Sequence, residues 1–128
     1  MIRGVESITL FSEDARKLAD FYHKKVGMEI VMEAEIGEKG ENLFELKTSR
    51  GSGFYIVDHA KVKGKNSQPE RVIINFEVDD IEEEKKRLKE NGVKIIQDIY
   101  HVENYGLIAT FEDHDGNYFQ LVQIRVKS

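Results

Sequence analysis

Cysteine is absent from the 128 residues, which removes both a disulfide framework and any thiolate metal site. The missing thiols suit a reducing compartment, so a cytoplasmic protein is expected. No apolar run approaches the roughly 20 residues that span a bilayer, and no membrane partner is expected. The opening Met1-Ile2-Arg3-Gly4 leads directly into a patterned strand and lacks the layout of a signal peptide. Basic charge is also in deficit. The formal net charge of −5 speaks against nucleic acid, because phosphate binding needs a basic surface. The cluster Lys61-Val62-Lys63-Gly64-Lys65 reads as a solvated loop. What is present is enough chain for one domain, residues 1–128, that buries a core without staples.

The hydrophobic period alternates between two and 3.6, which separates strands from helices. Val5 to Leu10 alternates as a strand. Ser12 to Val26 reads as a helix with Ser12 or Asp14 as its N-cap and Leu18, Ala19, Phe21, Tyr22 and Val26 on its apolar side. Gly27 stands where a left-handed C-terminal cap belongs. Three strands follow at Met28–Ile36, Asn42–Thr48 and Gly53–Asp58, parted by glycine-rich turns. The segment 61–70 holds the single proline and no periodicity, and reads as a linker. The order then recurs: a strand over Arg71–Val78, and a helix from Asp80 whose Asp80-Ile81-Glu82-Glu83 approximates a capping box. Asn91-Gly92 stops that helix. Strands at Val93–Tyr100, Tyr105–Glu112 and Asn117–Val126 complete the set, with Asp115-Gly116-Asn117 as the tight turn between the last two.

The order is β-α-β-β-β twice, repeat one over about 1–60 and repeat two over about 71–128. Gly27 and Gly92 are separated by 65 residues, as are Phe54 and Phe119. With a one-residue adjustment inside the helix, Ser7-Ile8-Thr9-Leu10 falls on Ile73-Ile74-Asn75-Phe76. Alternation assigns the faces. Ile8, Leu10, Phe44, Leu46, Phe54 and Ile56 belong under the first helix. Val72, Ile74, Phe76, Val78, Leu107, Ala109, Phe111, Phe119 and Leu121 belong under the second. Left for the opposite, concave side are Ser7, Thr9, Glu45, Tyr55, Val57, Ile73, Asn75, Glu77, Ile108, Thr110, Tyr118, Gln120 and Val122. Apolar walls with a few polar groups are what a small-molecule pocket requires.

Ser7-Ile8-Thr9-Leu10, Ala19-Asp20-Phe21-Tyr22 with Gly27, Phe76-Glu77-Val78-Asp79-Asp80, and Phe111 to Asn117 followed by Gln120-Leu121 carry a resemblance in that order. The chain resembles the vicinal oxygen chelate superfamily, which includes glyoxalase I, bleomycin-resistance proteins and ring-cleaving dioxygenases. His114 stands where that family usually has proline. The resemblance implies an α+β fold in which two βαβββ repeats form a curved mixed sheet around a concave ligand cavity. It also implies, for metal-dependent members, a ligand from the first and fourth strand of each repeat. Those positions here are Ser7, Tyr55, Ile73 and Gln120. Ile73 cannot coordinate, Ser7 and Tyr55 carry protons of high pKa, and Gln120 brings no charge. No metal and no other cofactor is therefore expected.

His23 sits in the last turn of the first helix, where a cation suits the dipole. His59, His101 and His114 read as loop residues, and no pair has the spacing of a two-histidine site. Glu82-Glu83-Glu84 against Lys85-Lys86-Arg87 reads as an ion-paired helix face. Glu45 and Glu77 point to the concave side and are the candidates for a general base or for holding a cationic ligand. The leading expectation is a small-molecule binder without the family's metal, sequestering an antibiotic or metabolite as a homodimer. Tyr55, Tyr105 and Tyr118 would supply flat area, with Thr9, Asn75, Thr110 and Gln120 as orienting groups. The alternatives are a lyase, isomerase or dioxygenase-like enzyme with a displaced metal or an acid-base pair, and a structural or regulatory dimer module.

Overall fold

The computed structural model describes residues 1–124. Residues 125 and 126, placed in the last strand by alternation, lie outside the described residues. The chain divides into two compact units, Met1–Gly64 and Lys65–Ser128, and the division falls inside the segment that reads as a linker.

In the first unit β1 (Ser7–Ser12), β2 (Ile30–Ile36), β3 (Glu41–Leu46) and β4 (Gly53–Asp58) form one sheet in the order β1-β4-β3-β2. Strand β1 runs parallel to β4 and the other pairs are antiparallel. Helix α1 (Ala15–Asp20) continues into a π-helical turn (Phe21–Val26). Asp14, not Ser12, is the N-cap, and its carboxylate accepts the Lys17 N–H. Ala15, Leu18, Ala19 and Tyr22 are fully buried at i, i+3, i+4 and i+7, the spacing that gives a helix one apolar stripe. The stripe packs on Phe44, Leu46, Phe54 and Ile56, all buried as alternation requires. Tyr22 meets Phe54 edge to face at 5.3 Å. Each such buried side chain stabilises by about 1.5–3 kcal/mol.

The second unit repeats the plan. Strands β5 (Ile74–Glu77), β6 (Lys94–Val102), β7 (Gly106–Glu112) and β8 (Tyr118–Ile124) run in the order β5-β8-β7-β6, with α2 (Ile81–Glu90) following β5. Asp80 caps α2 through the Glu83 N–H, as the capping-box reading predicts. Ala109, Phe111, Phe119 and Leu121 are buried, with Phe111 and Phe119 stacked at 5.6 Å. Among the described residues no helix is long and apolar enough to cross a membrane.

Some expectations need correction. Strand β1 extends through Phe11 and Ser12, because both pair with the end of β4. Val72 is 69% exposed and lies before β5, so it does not pack under α2; it is outside the register that β8 offers an edge strand. His101 is an exposed strand residue of β6 opposite Leu107, not part of a loop. The last hairpin is not a two-residue turn: Glu112 pairs with Tyr118, and Asp113 closes the loop between them. Asp113 is 4% exposed, and its carboxylate accepts the backbone N–H groups of Asp115 and Asn117 and the Asn117 amide. Gly116 alone takes a positive φ there, +79°, which a Cβ would resist.

The duplication reaches features that periodicity does not show. Both outer strands carry a β-bulge at equivalent positions, one at Val31 between Ile30 and Met32 and one at Ile96 between Ile95 and Gln97. Asp58 at the end of β4 accepts the first helical N–H of α1, from Ala15, at 2.8 Å, and Gln123 in β8 accepts that of α2, from Ile81, at 2.9 Å. Asp58 also accepts the Asn42 N–H at the start of β3, so one side chain joins helix, hairpin and edge pair. In β6 an additional irregularity follows Gln97. There Asp98 binds Lys85 at 2.6 Å and its own neighbour's N–H, and these two contacts hold its carboxyl below the ordinary aspartate range.

Candidate functional site

Opposite each helix, the sheet of each unit presents a face built row by row from cross-strand partners. In the first unit, register places Thr9, Tyr55, Glu45 and Met32 side by side across β1, β4, β3 and β2. The next row is Phe11, Val57, Leu43 and Ala34. In the second unit the row equivalent to Thr9–Met32 is Asn75, Gln120, Thr110 and Gln97. Beside it run Glu77, Val122, Ile108 and Tyr100. Met32 and Gln97 are missing from the sequence reading of this face, because each follows a bulge that shifts the alternation by one residue.

The rows are not uniformly open. Val57, Thr110 and Val122 are 5%, 5% and 2% exposed, whereas Thr9, Asn75, Met32 and Gln97 are exposed and Tyr55, Glu45, Ile108, Tyr118 and Gln120 are intermediate. In the second unit Gln120 donates its amide N–H to the Thr110 hydroxyl at 3.0 Å. Tyr118 pairs with Glu112 in the adjoining row, and Glu112 is bridged to Lys94 at 3.5 Å. Ile73 lies one residue before β5 and is half-buried. Tyr105 is outside β7, in the turn before it, and is 41% exposed.

Glycine shapes the first face. A Cβ built on Gly53 would stand 3.0 Å from Tyr55 Cε2, 3.5 Å from its hydroxyl and 3.6 Å from Ser7 Cβ. The Tyr55 ring therefore reaches along its own strand to the place a Gly53 side chain would fill, and Ser7 is the cross-strand partner of Gly53. Position 118, the counterpart of Gly53, is tyrosine, so the second unit cannot repeat this arrangement.

Do the four family ligand positions suit a divalent cation? Ser7 and Tyr55 come to the same face of one sheet, but both offer hydroxyls. Ile73 offers nothing, and the Gln120 amide is turned to Thr110. That donor set carries no negative charge and does not fit the group. Among the described residues no three His, Asp or Glu side chains gather where a metal could be held. The histidines are engaged singly. His23 Nδ1 lies 2.7 Å from the Met28 carbonyl, and His59 packs edge to face on Phe11 while its Nδ1 accepts the Lys61 N–H. His114 is exposed in the last loop.

A groove of about 370 Å³ runs between α1 and β2, lined by Arg16, Asp20, His23, Val31, Met32 and Glu33. Its polar groups are already matched. Arg16 holds Glu33 through two hydrogen bonds and stacks over Phe44 at 4.5 Å, and the Glu33 contact raises the Arg16 pKa further. Asp20 faces Lys24 at 3.7 Å. On the sheet face of the first unit, by contrast, the Glu45 carboxylate has no such partner among the described residues.

A family model described as Glyoxalase/Bleomycin resistance protein/Dioxygenase superfamily matches residues 4–121. The uncharacterized protein YetH of Bacillus subtilis (strain 168) is 30% identical over 121 residues, covering 94% of this chain and 98% of its own. Among solved structures, the antibiotic binding protein TnmS3 from Streptomyces sp. CB03234 superposes with a TM-score of 0.73 at 23% identity, over 97% of this chain and 98% of that one. The genomically encoded fosfomycin resistance protein FosX from Listeria monocytogenes gives a TM-score of 0.74 at 20% identity, over 98% and 97%. Match, motifs and duplicated topology agree, and the chain belongs to the Glyoxalase/Bleomycin resistance protein/Dioxygenase superfamily.

Proposed function

We propose that the chain binds a small organic molecule on the open sheet faces, without a divalent cation and without turning it over, and so sequesters an antibiotic or metabolite. The observation that carries this reading is the content of the two equivalent rows. Thr9, Tyr55, Glu45 and Met32, and Asn75, Gln120, Thr110 and Gln97, combine ring and thioether surface with hydrogen-bonding groups, and none is an imidazole. Apolar area supplies affinity and the polar groups orient the ligand. One structural relative points the same way by name, an antibiotic binding protein. The working form in this reading is a cytoplasmic homodimer. Ile2, Val5 and Phe11, 91%, 69% and 48% exposed, are the apolar side chains of the first unit that a second copy would cover.

Native mass spectrometry on gently purified protein, with elemental analysis of the same sample, tests the bound molecule, the dimer and the absence of metal. The expected species is a dimer carrying an organic adduct and no stoichiometric metal. About one tightly held divalent ion per chain would overturn the reading and return the chain to the enzymes of its superfamily.

A further inference from the structure

We infer that the open face of the first sheet takes a planar cationic ring system, stacked on Tyr55 with its positive charge at Glu45, an inference that rests on the binder reading above. Glu45 is the charged member of its row, flanked by Tyr55 across one strand pair and by Met32 across the other. Directly opposed side chains on one face have Cβ atoms roughly 5 Å apart, so ring, carboxylate and thioether form a continuous strip.

Three observations select the chemistry. The first is that Glu45 is half-buried and its carboxylate makes no ion pair or hydrogen bond among the described residues. Two other strand carboxylates differ, since Glu33 has Arg16 and Glu112 has Lys94. Glu41 also leaves a buried oxygen without a partner, but it stands at the start of β3 and not in the row of Tyr55 and Met32. A carboxylate that no protein group pairs is available to a ligand cation, and a charge-assisted contact there is stronger than a neutral one. The second is the glycine at position 53. Without a Cβ there, the hydroxyl end of the Tyr55 ring has room beside Gly53, on the face where Glu45 stands. A ring face attracts a flat cation through its quadrupole and through stacking. The third is the contrast with the second unit. There the equivalent pair is Gln120 and Thr110, hydrogen-bonded to each other at 3.0 Å and uncharged. The duplication thus retains this row and gives it ring and charge in the first copy; in the second copy Glu77 and Tyr100 stand in the row beside it, at opposite edges of the sheet.

The test is a fluorescence titration of the full chain with proflavine, a planar cation at neutral pH, beside the anionic dye anilinonaphthalene sulfonate. The protein has no tryptophan, so dye emission is read without strong intrinsic interference. Proflavine is expected to bind and the anionic dye not to compete. Glu45→Gln and Tyr55→Leu should each raise the proflavine Kd about tenfold, and Gly53→Ala should raise it several-fold by displacing the ring. Glu82→Gln, on the exposed side of α2, should leave it unchanged, and circular dichroism checks that each variant is folded. Equal affinity of Glu45→Gln and the parent would overturn the inference, as would tighter binding of the anionic dye. Loss of the anionic dye in Tyr55→Leu would overturn the charge assignment yet leave the binder reading in place. Failure of both dyes, together with no organic adduct in native mass spectrometry, would remove both.

Discussion

Asp113 shows how much one side chain can organise. Its carboxylate is buried and satisfies two backbone N–H groups and one side-chain amide within a five-residue loop. Hydrogen bonds to a charged acceptor are worth about 1.5–3 kcal/mol, and their removal leaves buried donors unmatched. Asp113→Ala is therefore expected to lower stability by about 2–3 kcal/mol, read as a fall in the urea midpoint at unchanged slope. At the corresponding position in the first unit, Thr48 bonds its hydroxyl to the Ser52 carbonyl at 3.1 Å. The loop is closed there by a weaker neutral bond. Asp58 and Gln123 make a similar pair: different residues, one task at a helix N-terminus. Neither cap stands out in the sequence, because each donor lies 42 or 43 positions away along the chain. The 65-residue offset, which superposes Asp58 on Gln123, was the available signal.

Helix α1 and its π-helical turn account for the one-residue misfit between the helices of the two repeats. Thirteen positions separate the N-cap Asp14 from Gly27, and twelve separate Asp80 from Gly92. The additional residue is absorbed where the backbone winds more widely over Phe21–Val26, with the Gly27 N–H reaching back to the Tyr22 carbonyl. A π turn is usually such a one-residue insertion, and it persists where surrounding packing tolerates it. Deleting Lys24, which is exposed, should restore a regular α-helix with Tyr22 in place. Stability should then change by less than about 1 kcal/mol. Deleting Lys86 from α2 has no such slack to consume. It would rotate Leu88 off its fully buried position, at a cost of about 2–5 kcal/mol. Comparing the two deletions by thermal melting decides whether the π turn is an absorbed insertion. If both are equally damaging, the widened turn is itself required.

At the scale of the whole molecule, each four-stranded sheet brings most of the face residues expected of its own repeat to one side. Tyr105 stays apart from its row, and Ile73 stays outside the strand that should present it. If the reading without metal is right, millimolar Ni²⁺, Zn²⁺ or Mn²⁺ leaves the Tm within about 1 °C and a chelator does the same. A site filled to 100 times its Kd would add about 2.7 kcal/mol and raise the Tm by several degrees. The fold was legible in the chain because its cause is local and periodic: alternation marks strands, the i, i+3, i+4 stripe marks helices, and glycines at fixed offset mark the stops. The identity of the residues at the family's ligand positions was equally legible. Tertiary structure alone decided which side chains reach the face and how they stand there. Bulges at Val31 and Ile96 shift the alternation to bring in Met32 and Gln97. The space above Gly53 decides how Tyr55 lies, and pairing across β3 decides what Glu45 has beside it. Those are contacts between residues distant in the chain, and no local period encodes them.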